Sequence, residues 1–472
     1  MITRRAMVSG LSALAATSLL AAAGDRPDVL VIGAGLSGLY AAMILEEMGA
    51  TVRVVEGRNR IGGRLYTRYD LPGHPEVGGN SMAAGYGRAI VLARRLGLSL
   101  VDYAPRLFGG PPPELVMNGE LIVKRNWPDS PHNPFSLKHR ELMPWQVLQS
   151  ELAGRNPLKK AVEWLQPENA ALDIPLYDYL RMQGLEDAEI SLGYDANPYY
   201  GDSSRAVSTL MHLFNDRWMQ EQAGLGSQIY AVAGGNQRLP EAMAAALKNE
   251  VMLEHEVVAI ESGRDRVGVT FRNGRRISAS QVICSLPVSK LRDVQIAPRV
   301  SPRQRRGLSA LRYQRNTLIF LVPEKPFWEE DGLSPTMWTN GMLGNVVAQR
   351  FDDDSNAVTG LVVQARGWSA DYLDRLGEAA AGAAVIQEIE RLRPAARGAL
   401  TFGGWHSWWL DPFAAGDWAI YGPGQVTGIL NAMDAPVGRI HFCGEHMGVS
   451  NRGMEGALES AERAAFAVSG VS

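Results

Sequence analysis

The chain has 472 residues, 46% of them hydrophobic, and a formal net charge of −3 at pH 7. This length is too great for one ordinary domain and supplies a large hydrophobic core, so we expect two or three domains. The near-neutral charge argues against nucleic acid or an acidic membrane surface as a partner. Cys284 and Cys443 are too far apart in sequence for a metal-ligand spacing, and two cysteines cannot form a disulfide framework, so we expect no metal site.

The N-terminus has the pattern of an export signal. Arg4 and Arg5 precede a mildly apolar run of small residues that ends in three alanines at residues 21–23. Paired arginines before such a run are typical of a twin-arginine signal, whose route carries folded proteins. We therefore predict that residues 1–24 export the protein to the periplasm. A Sec signal and an uncleaved membrane anchor are the alternatives.

The next segment predicts a dinucleotide-binding unit. A strand is predicted at residues 29–32, and the spaced glycines Gly33, Gly35 and Gly38 follow it. A helix is then predicted at residues 36–48 and a second strand at residues 51–55, which ends at the acid Glu56. Gly33 permits the tight turn after the strand, Gly35 lets the backbone approach a pyrophosphate, and Gly38 lets the helix pack closely on the strand. The first helical turn, with Leu36 and Ser37, would offer N–H groups to the phosphates, and Glu56 would bind the ribose hydroxyls.

The loop after Glu56 indicates which dinucleotide is bound. Residues 57–64 are rich in glycine and arginine, and their candidate cofactor ligands are Gly57, Arg58, Gly62, Gly63 and Arg64. A plain NAD site needs no second loop of this kind. The run resembles the signature of the flavin-containing amine oxidases, which include monoamine, polyamine and L-amino-acid oxidases and nicotine oxidoreductase. The resemblance implies FAD, with Arg64 at the pyrophosphate; for Arg58 and Arg60 a solvated basic loop is the alternative.

The resemblance also implies an α/β fold, in which discontinuous segments form a Rossmann-like FAD-binding domain beside an α+β substrate-binding domain. The FAD-binding segments are predicted at residues 27–105, 226–294 and 412–472, and the substrate-binding segments at residues 106–225 and 295–411. Within the latter, helical patterns cover residues 205–222 and 371–393. FAD is expected to bind non-covalently, because Asp417 stands where monoamine oxidases carry the flavin-linking cysteine.

Further motifs along the chain are expected to meet at the FAD. They resemble the family's second glycine pair, its adenine-contacting strand and its last helix, and they supply Gly78, Gly79, Asn80, Ser81, Val257, Val258, Gly444, Glu445, Gly453, Met454 and Ala457. The N-terminus of the last helix, near Met454, is expected to point at the flavin ring and to stabilise its anionic reduced form. Between two strand-like runs, Asn273 and Gly274 predict a β-hairpin.

An aromatic cage is expected beside the flavin. By the resemblance, Trp418 forms one wall, whose π face would orient the amine, and Trp408 backs the flavin. The family often has a second aromatic before its Met-Glu-Gly-Ala stretch, where this chain has Gly453. We therefore expect a cage that is open on one side or is closed by another residue. The candidates for closing it are Asn451, Tyr199 and Tyr200.

Two other positions bear on the chemistry. Lys325, before a Pro-Phe-Trp sequence, is the candidate for the family's lysine that holds a water near flavin N5; a solvated loop lysine is the alternative. L-Amino-acid oxidases carry an arginine shortly after the second glycine pair, which binds the substrate carboxylate. Here the next arginine is Arg88, expected in the following helix. This weighs against an α-amino acid substrate, unless Arg205 or Arg217 replaces the missing arginine.

The resulting expectation is an FAD-dependent amine oxidase that transfers a hydride from the α-carbon of a small-molecule amine to flavin N5. The imine would hydrolyse to an aldehyde or ketone, and the electrons would pass to oxygen, giving hydrogen peroxide, or to a periplasmic redox carrier. The alternatives are an L-amino-acid oxidase, a carbon–carbon desaturase on the same fold, and a non-catalytic FAD-binding partner protein. The resemblance is compatible with a homodimer.

Overall fold

The computed structural model of the protein describes residues 27–350 and 356–470. The predicted export signal, residues 1–24, lies outside the described residues. The strands are β1 (Val29–Ile32), β2 (Val52–Val55), β3 (Met82–Ala83), β4 (Leu100–Asp102), β5 (Glu114–Met117), β6 (Glu120–Ile122), β7 (Ile229–Val232), β8 (Val257–Ser262), β9 (Val267–Phe271), β10 (Arg276–Ala279), β11 (Gln281–Cys284), β12 (Gln295–Ala297), β13 (Arg312–Tyr313), β14 (Asn316–Pro323), β15 (Met337–Thr339), β16 (Asn345–Gln349), β17 (Gly360–Arg366), β18 (Leu400–Ser407), β19 (Ala419–Ile420) and β20 (Ile440–Phe442). The α-helices are α1 (Leu36–Glu47), α2 (Gly87–Arg95), α3 (Ala104–Phe108), α4 (Val147–Leu152), α5 (Leu176–Met182), α6 (Asp187–Ile190), α7 (Thr209–Leu225), α8 (Arg238–Ala245), α9 (Val288–Leu291), α10 (Pro302–Ala310), α11 (Phe327–Asp331), α12 (Trp368–Leu376), α13 (Glu378–Leu392), α14 (Asn431–Met433) and α15 (Gly453–Ser469).

A four-stranded parallel sheet holds the first glycine motif. Its order is β2-β1-β11-β20, so strands from three distant parts of the chain pair side by side. Every residue of β1 is buried, as expected for a central strand that is covered on both faces. α1 begins directly after Gly35 and ends before Gly49, whose φ of 91° suits a glycine at a helix end. α15 packs along α1, so two helices that are distant in sequence lie side by side.

A second four-stranded sheet, of order β10-β9-β8-β12, contains the predicted hairpin. β9 and β10 are antiparallel, and Gly274 at their turn has a φ of 82°. After β10 the chain crosses into β11 of the parallel sheet. β12 pairs with β8 although it begins at residue 295, the predicted start of a substrate-binding segment. The boundary placed at residue 294 therefore falls inside this sheet, and the rest of the domain division stays a prediction.

The predicted substrate-binding segments build a seven-stranded sheet of order β18-β14-β17-β16-β15-β5-β6. α12 packs on β14 and β17, and α13 packs on β18. The single helical pattern at residues 371–393 is in fact these two helices, which are separated at Gly377 with a φ of 76°. The predicted helix at residues 205–222 is α7, which begins later because the Ser208 side chain accepts a hydrogen bond from Leu210 N–H and caps it.

The architecture is the predicted α/β fold with an α+β region. Within the part of the chain that the structure describes, no helix is both long and apolar enough to cross a membrane. The same residues contain no cluster of histidine, cysteine and acidic side chains that could hold a metal ion.

Candidate active site

A cavity of about 790 Å³ lies at the carboxyl edge of the parallel sheet. This volume is within the usual range of about 300–1,000 Å³ for small-molecule sites. On one side it begins at Ile32 and Val55, the last residues of β1 and β2, where open α/β sheets bind their ligands. On the other side it is lined by residues of β14, β16 and β17, including Leu318 and Val362.

The first glycine motif forms one end of the cavity. A Cβ on Gly38 would lie 1.9 Å from the Gly33 carbonyl oxygen, so only glycine allows α1 to pack this closely on β1. A Cβ on Gly35 would meet nothing within 4 Å, because Gly35 faces the open cavity. Leu36 and Ser37 also line the cavity, and the N–H groups of a first helical turn have no intrahelical partner. The roles predicted for the glycines agree with this geometry, with Gly38 acting by packing and not by lining the cavity.

Glu56 is buried at the edge of the same space. Its carboxylate accepts hydrogen bonds from Ala34 N–H and from Arg58 N–H, each at 2.9 Å. These bonds fix the glycine turn to the loop after β2 and leave lone pairs of the carboxylate for a ligand hydroxyl. Val257 and Val258 line the neighbouring wall, as predicted.

The arginines of the second loop are held by carboxylates of distant segments. The Arg58 guanidinium forms two parallel hydrogen bonds to Asp411, of 2.7 and 2.6 Å. The Arg64 guanidinium donates to Glu445 at 2.9 Å and to the Asp417 carbonyl oxygen. Both residues line the cavity, but their charge is compensated within the protein. Arg64 lines the cavity and ties Glu445 to its wall, and its contact with the pyrophosphate stays a prediction.

The second glycine pair meets the N-terminus of α15 across the cavity. Gly78, Gly79, Asn80 and Ser81 line it together with Gly57, Gly62, Gly63, Gly453, Met454 and Ala457. A Cβ on Gly79 would lie 3.4 Å from the Met454 side chain, so the two segments are in direct contact. Gly444, predicted to contact the cofactor, lies behind this wall, because its N–H donates to the Ser460 hydroxyl at 2.9 Å.

Trp418 and Tyr199 form an aromatic wall in the substrate half of the cavity. Their rings stack with centroids 5.5 Å apart and an interplanar angle of 28°, and Tyr200 meets Trp418 edge-on at 6.1 Å. Non-bonded carbon atoms contact at about 3.5–4.0 Å, so a group between two parallel rings needs roughly 7 Å. Tyr199 therefore packs against Trp418, and the two rings leave no space between them for a substrate. Among the described residues, the buried Trp418 Nε1 has no hydrogen-bond partner.

Lys325 lies outside the site, so its predicted role is wrong. β14 presents Asn316 and Leu318 to the cavity near its beginning, whereas Lys325 comes after its far end. The Lys325 side chain is 44% exposed and pairs with Glu330 at 2.8 Å. The alternative, a solvated loop lysine, describes it correctly.

Trp408 and Asn451 are also displaced from their predicted places. Trp408 is fully buried behind the second glycine pair, where its Nε1 donates to the Val77 carbonyl oxygen at 3.0 Å. Asn451 points away from the cavity, accepting from Trp218 Nε1 at 3.3 Å and donating to Glu459 at 3.2 Å. Both side chains therefore shape the wall without lining the cavity.

Sequence reasoning missed two arginines in the substrate half. Arg366 is the last residue of β17, whose alternation places Val362, Gln364 and Arg366 on the cavity side. Arg452 directly precedes α15, lines the cavity and donates to the Tyr200 hydroxyl. The period-two pattern of β17 could have indicated Arg366, but nothing local to Arg452 distinguishes it from a surface residue.

Asp417 brings an acid next to the aromatic wall. Burial raises its pKa to about 6, an effect opposed by the Asn316 amide, which donates to the Asp417 carboxylate at 2.7 Å. Asp417 is the residue at which the resemblance implied that FAD is not covalently attached. A carboxylate offers no thiol for such a link, in agreement with the predicted non-covalent binding of the cofactor.

The donor set and the shape of the cavity fit FAD. The space above Gly35, the free N–H groups of α1 and the acceptor Glu56 suit a pyrophosphate and a ribose at one end. The unpartnered Trp418 Nε1 and the N-terminus of α15 offer donors at the other end. A long ligand with a pyrophosphate and a ribose at one end would satisfy both ends, as FAD does.

Comparison with known proteins agrees with this interpretation. Residues 36–469 match the family model described as flavin containing amine oxidoreductase. The L-amino-acid oxidase of Siganus canaliculatus is 26% identical over 454 residues, covering 93% of this chain and 84% of that protein.

Two solved structures show the same fold. Putrescine oxidase bound to putrescine superimposes with a TM-score of 0.76 at 23% identity, covering 94% of this chain and 99% of the other. Cyclohexylamine oxidase from Brevibacterium oxydans IH-35A gives a TM-score of 0.73 at 21% identity, with coverages of 94% and 99%. The chain therefore belongs to the flavin-containing amine oxidoreductase family and is an enzyme that oxidises amines with FAD.

Proposed function

We propose that the protein is an exported oxidase that converts the carbon next to an amine nitrogen into an imine, which water hydrolyses to an aldehyde or ketone. The observation that carries this proposal is the shared cavity: Trp418 and Tyr199 line the same space as the glycines that fit FAD. A substrate on the aromatic wall would therefore be enclosed with the cofactor, in the proximity that oxidation of a C–H bond requires.

The chain's own residues would hold the cofactor along the length of the cavity. The first turn of α1 would bind the pyrophosphate, Glu56 the ribose, and Val257 with Val258 the adenine side. The second glycine pair and the N-terminus of α15 would bind the flavin end. FAD, when bound, supplies the oxidising power by accepting a hydride from the amine.

The substrate half of the cavity can orient an amine and exclude water. Leu318, Val347 and Val362 give it an apolar side, which keeps bulk water from the reacting carbon. Trp418 contributes an aromatic wall and a free Nε1 donor to the same space. The neutral form of the amine has the free lone pair that the oxidation needs, so the rate is expected to rise with pH towards the pKa of the amine.

A panel of amines and amino acids, mixed with the FAD-loaded enzyme, tests the proposal. With air present, turnover should release hydrogen peroxide, because we propose oxygen as the electron acceptor; without air, a substrate should bleach the visible absorbance of the flavin. Bleaching without peroxide release on readmission of air would point to a redox carrier. A flavin that no member of the panel bleaches would contradict the proposed reaction.

The location of the protein requires a separate test. We propose that residues 1–24 direct export through the twin-arginine route, on the strength of Arg4, Arg5 and the apolar run after them. Replacing both arginines by lysine should leave FAD-loaded protein in the cytoplasmic fraction, whereas the unaltered protein should be recovered in the periplasm. Export of the double variant at an unchanged level would exclude the twin-arginine route. From the family resemblance we also propose a homodimer, which sedimentation would test.

A further inference from the structure

Arginine dominates the charged side chains in the substrate half of the cavity. Away from the glycine motifs, its walls contain Arg106, Arg350, Arg366 and Arg452. Three of the acids that line the cavity near the cofactor ends form ion pairs there: Glu256 pairs with Arg272, Asp293 with Lys290 and Glu445 with Arg64. Asp417 is the acid that remains beside the aromatic wall, and it accepts from Asn316.

The guanidinium of Arg366 lies over the aromatic wall, where a cationic group of a ligand would otherwise bind. Its Cζ lies 5.0 Å from the ring centroid of Tyr199 and 5.4 Å from that of Trp418, both within the distance of a cation–π contact. Its Nε is buried and has no hydrogen-bond partner among the described residues. The guanidinium is therefore held in place by the rings, while part of its hydrogen-bonding capacity is unused.

Arg452 reaches the same wall from the loop before α15. It donates to the hydroxyl of Tyr200, the ring that meets Trp418 edge-on, and its Cζ lies 4.4 Å from the ring centroid of Trp218. In the described parts of the chain, no carboxylate lies within ion-pairing distance of Arg366 or Arg452. The charge of Arg366 acts on Asp417 and opposes the rise in its pKa, but neither arginine forms an ion pair with a described carboxylate. Two positive charges thus lie beside the aromatic wall, against the single buried acid Asp417.

An ordinary cationic amine would be disfavoured in this environment. An ammonium group that approached Trp418 would find the guanidinium of Arg366 already on the rings and would be repelled by it. A diamine would add a second unfavourable charge. A ligand with a carboxylate would instead accept charge-assisted hydrogen bonds from the unused donors, and would compensate charges that are costly to leave unpaired in a buried site.

We propose that Arg366 and Arg452 bind a carboxylate of the substrate, so that the enzyme acts on an amine that also carries a carboxylate. This inference rests on the proposed function, since it names the substrate class of the same site. The two arginines come from β17 and from the loop before α15, not from the segment after the second glycine pair. Arg205 and Arg217 do not line the cavity, and Arg205 stacks on Tyr177 with its Cζ 3.3 Å from the ring centroid.

Binding of a carboxylate that cannot be oxidised tests the assignment without turnover. Benzoate and its neutral analogue benzamide are titrated into the FAD-loaded enzyme by calorimetry. Arg366→Gln should weaken benzoate binding by about tenfold or more, because hydrogen bonds to a charged group are lost, and should change benzamide binding by less than about twofold. Arg375→Gln removes the same charge from an exposed side chain that pairs with Asp371, and should alter neither affinity.

Three results of the titration would overturn the proposal. The first is that the unaltered enzyme does not bind benzoate, and the second is that Arg366→Gln binds benzoate with unchanged affinity. The third is that Arg366→Gln loses affinity for benzoate and for benzamide equally. The last result would mean that Arg366 only maintains the shape of the cavity. Arg452→Gln should weaken benzoate in the same selective way.

A matched substrate pair separates this proposal from the proposed function. L-Phenylalanine and phenethylamine differ only by the carboxylate, so kcat/KM should favour L-phenylalanine by about tenfold or more, and Arg366→Gln should remove that preference mainly through KM. Preferred oxidation of phenethylamine or putrescine would overturn the carboxylate assignment and leave amine oxidation intact. Failure of every amine and amino acid to react would overturn the proposed function, and the benzoate titration would then decide the role of the arginines independently.

Discussion

At the scale of single residues, Glu56 connects the cofactor to the turn that holds it. Its carboxylate already accepts from the N–H groups of Ala34 and Arg58, so any bound ribose hydroxyl shares an acceptor that the protein has positioned in advance. Pre-positioning matters because a fixed carboxylate does not lose rotamer freedom when the ligand binds.

Glu56→Ala should yield largely apo-protein. Removing hydrogen bonds to a charged acceptor is expected to weaken FAD binding by about 10- to 100-fold, from roughly 1.5–3 kcal/mol. The measurement is the ratio of visible flavin absorbance to protein absorbance after purification. Glu261→Ala is the matched control, because Glu261 is exposed and pairs with Arg276 away from the cavity. A normal flavin content in Glu56→Ala would contradict the ribose assignment.

Trp418→Ala should slow turnover and leave FAD bound. The substitution removes the ring on which Tyr199 and Arg366 rest, so kcat/KM should fall by about 2- to 30-fold, from roughly 0.5–2 kcal/mol of lost ring contact. Lys325→Ala is the informative comparison, because Lys325 pairs with Glu330 at the surface and its loss should leave the kinetics unchanged. Steady-state kinetics with equal flavin content check both statements. A large loss of activity in Lys325→Ala would mean that the position assigned to it is incorrect.

These residues show what can be predicted from sequence at this scale. The place of Glu56 at the cavity could be predicted because it belongs to a local motif whose parts follow one another along the chain. The place of Lys325 could not, because its assignment depended on which end of β14 enters the cavity, and a short Pro-Phe-Trp signature does not fix the start of a strand. Arg452 was missed since its position depends on how a loop folds against Tyr200 and Trp218, which are distant in sequence.

At the scale of elements, the contact between β1 and α1 has two glycines with different purposes. Gly38 has no room for a side chain, whereas Gly35 faces open space. Gly38 is therefore needed for the packing of the fold, and Gly35 for the binding of the ligand. The two residues are about one helical turn apart, so their substitutions can affect the stability of the protein and the binding of FAD separately.

Gly38→Ala and Gly35→Ala should fail in different ways. A methyl group 1.9 Å from the Gly33 carbonyl oxygen forces α1 away from β1, so Gly38→Ala should lower the melting temperature of the protein even without FAD. Gly35→Ala should leave the melting temperature of the apo-protein almost unchanged but weaken FAD binding, because its methyl group would fill space that the pyrophosphate needs. Thermal unfolding with and without FAD distinguishes the cases. Equal destabilisation of both apo-proteins would contradict the division of roles.

Glu76 links three segments around the second glycine pair. Its carboxylate accepts from Asn236 N–H at 2.6 Å and from the Thr67 hydroxyl at 2.9 Å. Burial raises the pKa of Glu76 from 4.5 to about 8. The folded state therefore binds this proton more tightly than the unfolded state does, and stability should fall as the pH rises from about 4.5 to about 8.

Glu76→Gln should remove that pH dependence. Glutamine keeps the shape of the side chain and cannot ionise, so the variant should match the unaltered protein near pH 4.5 and melt a few degrees higher near pH 8. Melting temperatures of the FAD-loaded proteins across this range provide the measurement. A difference between the two proteins that is the same at every pH would show that Glu76 does not change its protonation within the range.

The elements themselves were largely predictable, and their boundaries less so. β1, α1 and the hairpin at Gly274 carry strong local signals, namely buried apolar strands, spaced glycines and an Asn-Gly turn. The pattern at residues 371–393 continued through Gly377, because apolar periodicity on both sides of a glycine does not reveal a change of helix direction. β12 pairs with β8, a long-range choice that no local pattern in the sequence indicates.

At the scale of the whole molecule, the cavity is lined by parts of the chain that are distant in sequence. Its walls come from the parallel sheet, from the seven-stranded sheet and from the loop before α15. A ligand that contacts all of them binds only the folded arrangement. The stability of the protein is thus coupled to the concentration of its cofactor.

Removal of FAD should lower the melting temperature, and added FAD should restore it. At a free concentration of about 100 times Kd, binding to the folded state alone adds about 2.7 kcal/mol to the free energy of unfolding. Riboflavin is the control, because it lacks the pyrophosphate and adenine that the α1 end of the cavity is built to bind, and it should stabilise far less. Calorimetric scans over a range of ligand concentrations provide the measurement. A melting temperature independent of FAD would contradict the coupling.

The positions of β20 and α15 also constrain when the cofactor can be acquired. Residues 440–469 supply the last strand of the parallel sheet and a wall of the cavity, so the chain must be synthesised as far as these residues before the binding site is complete. A chain that was exported unfolded during its synthesis would leave the cytosol, and the FAD there, before its binding site was complete.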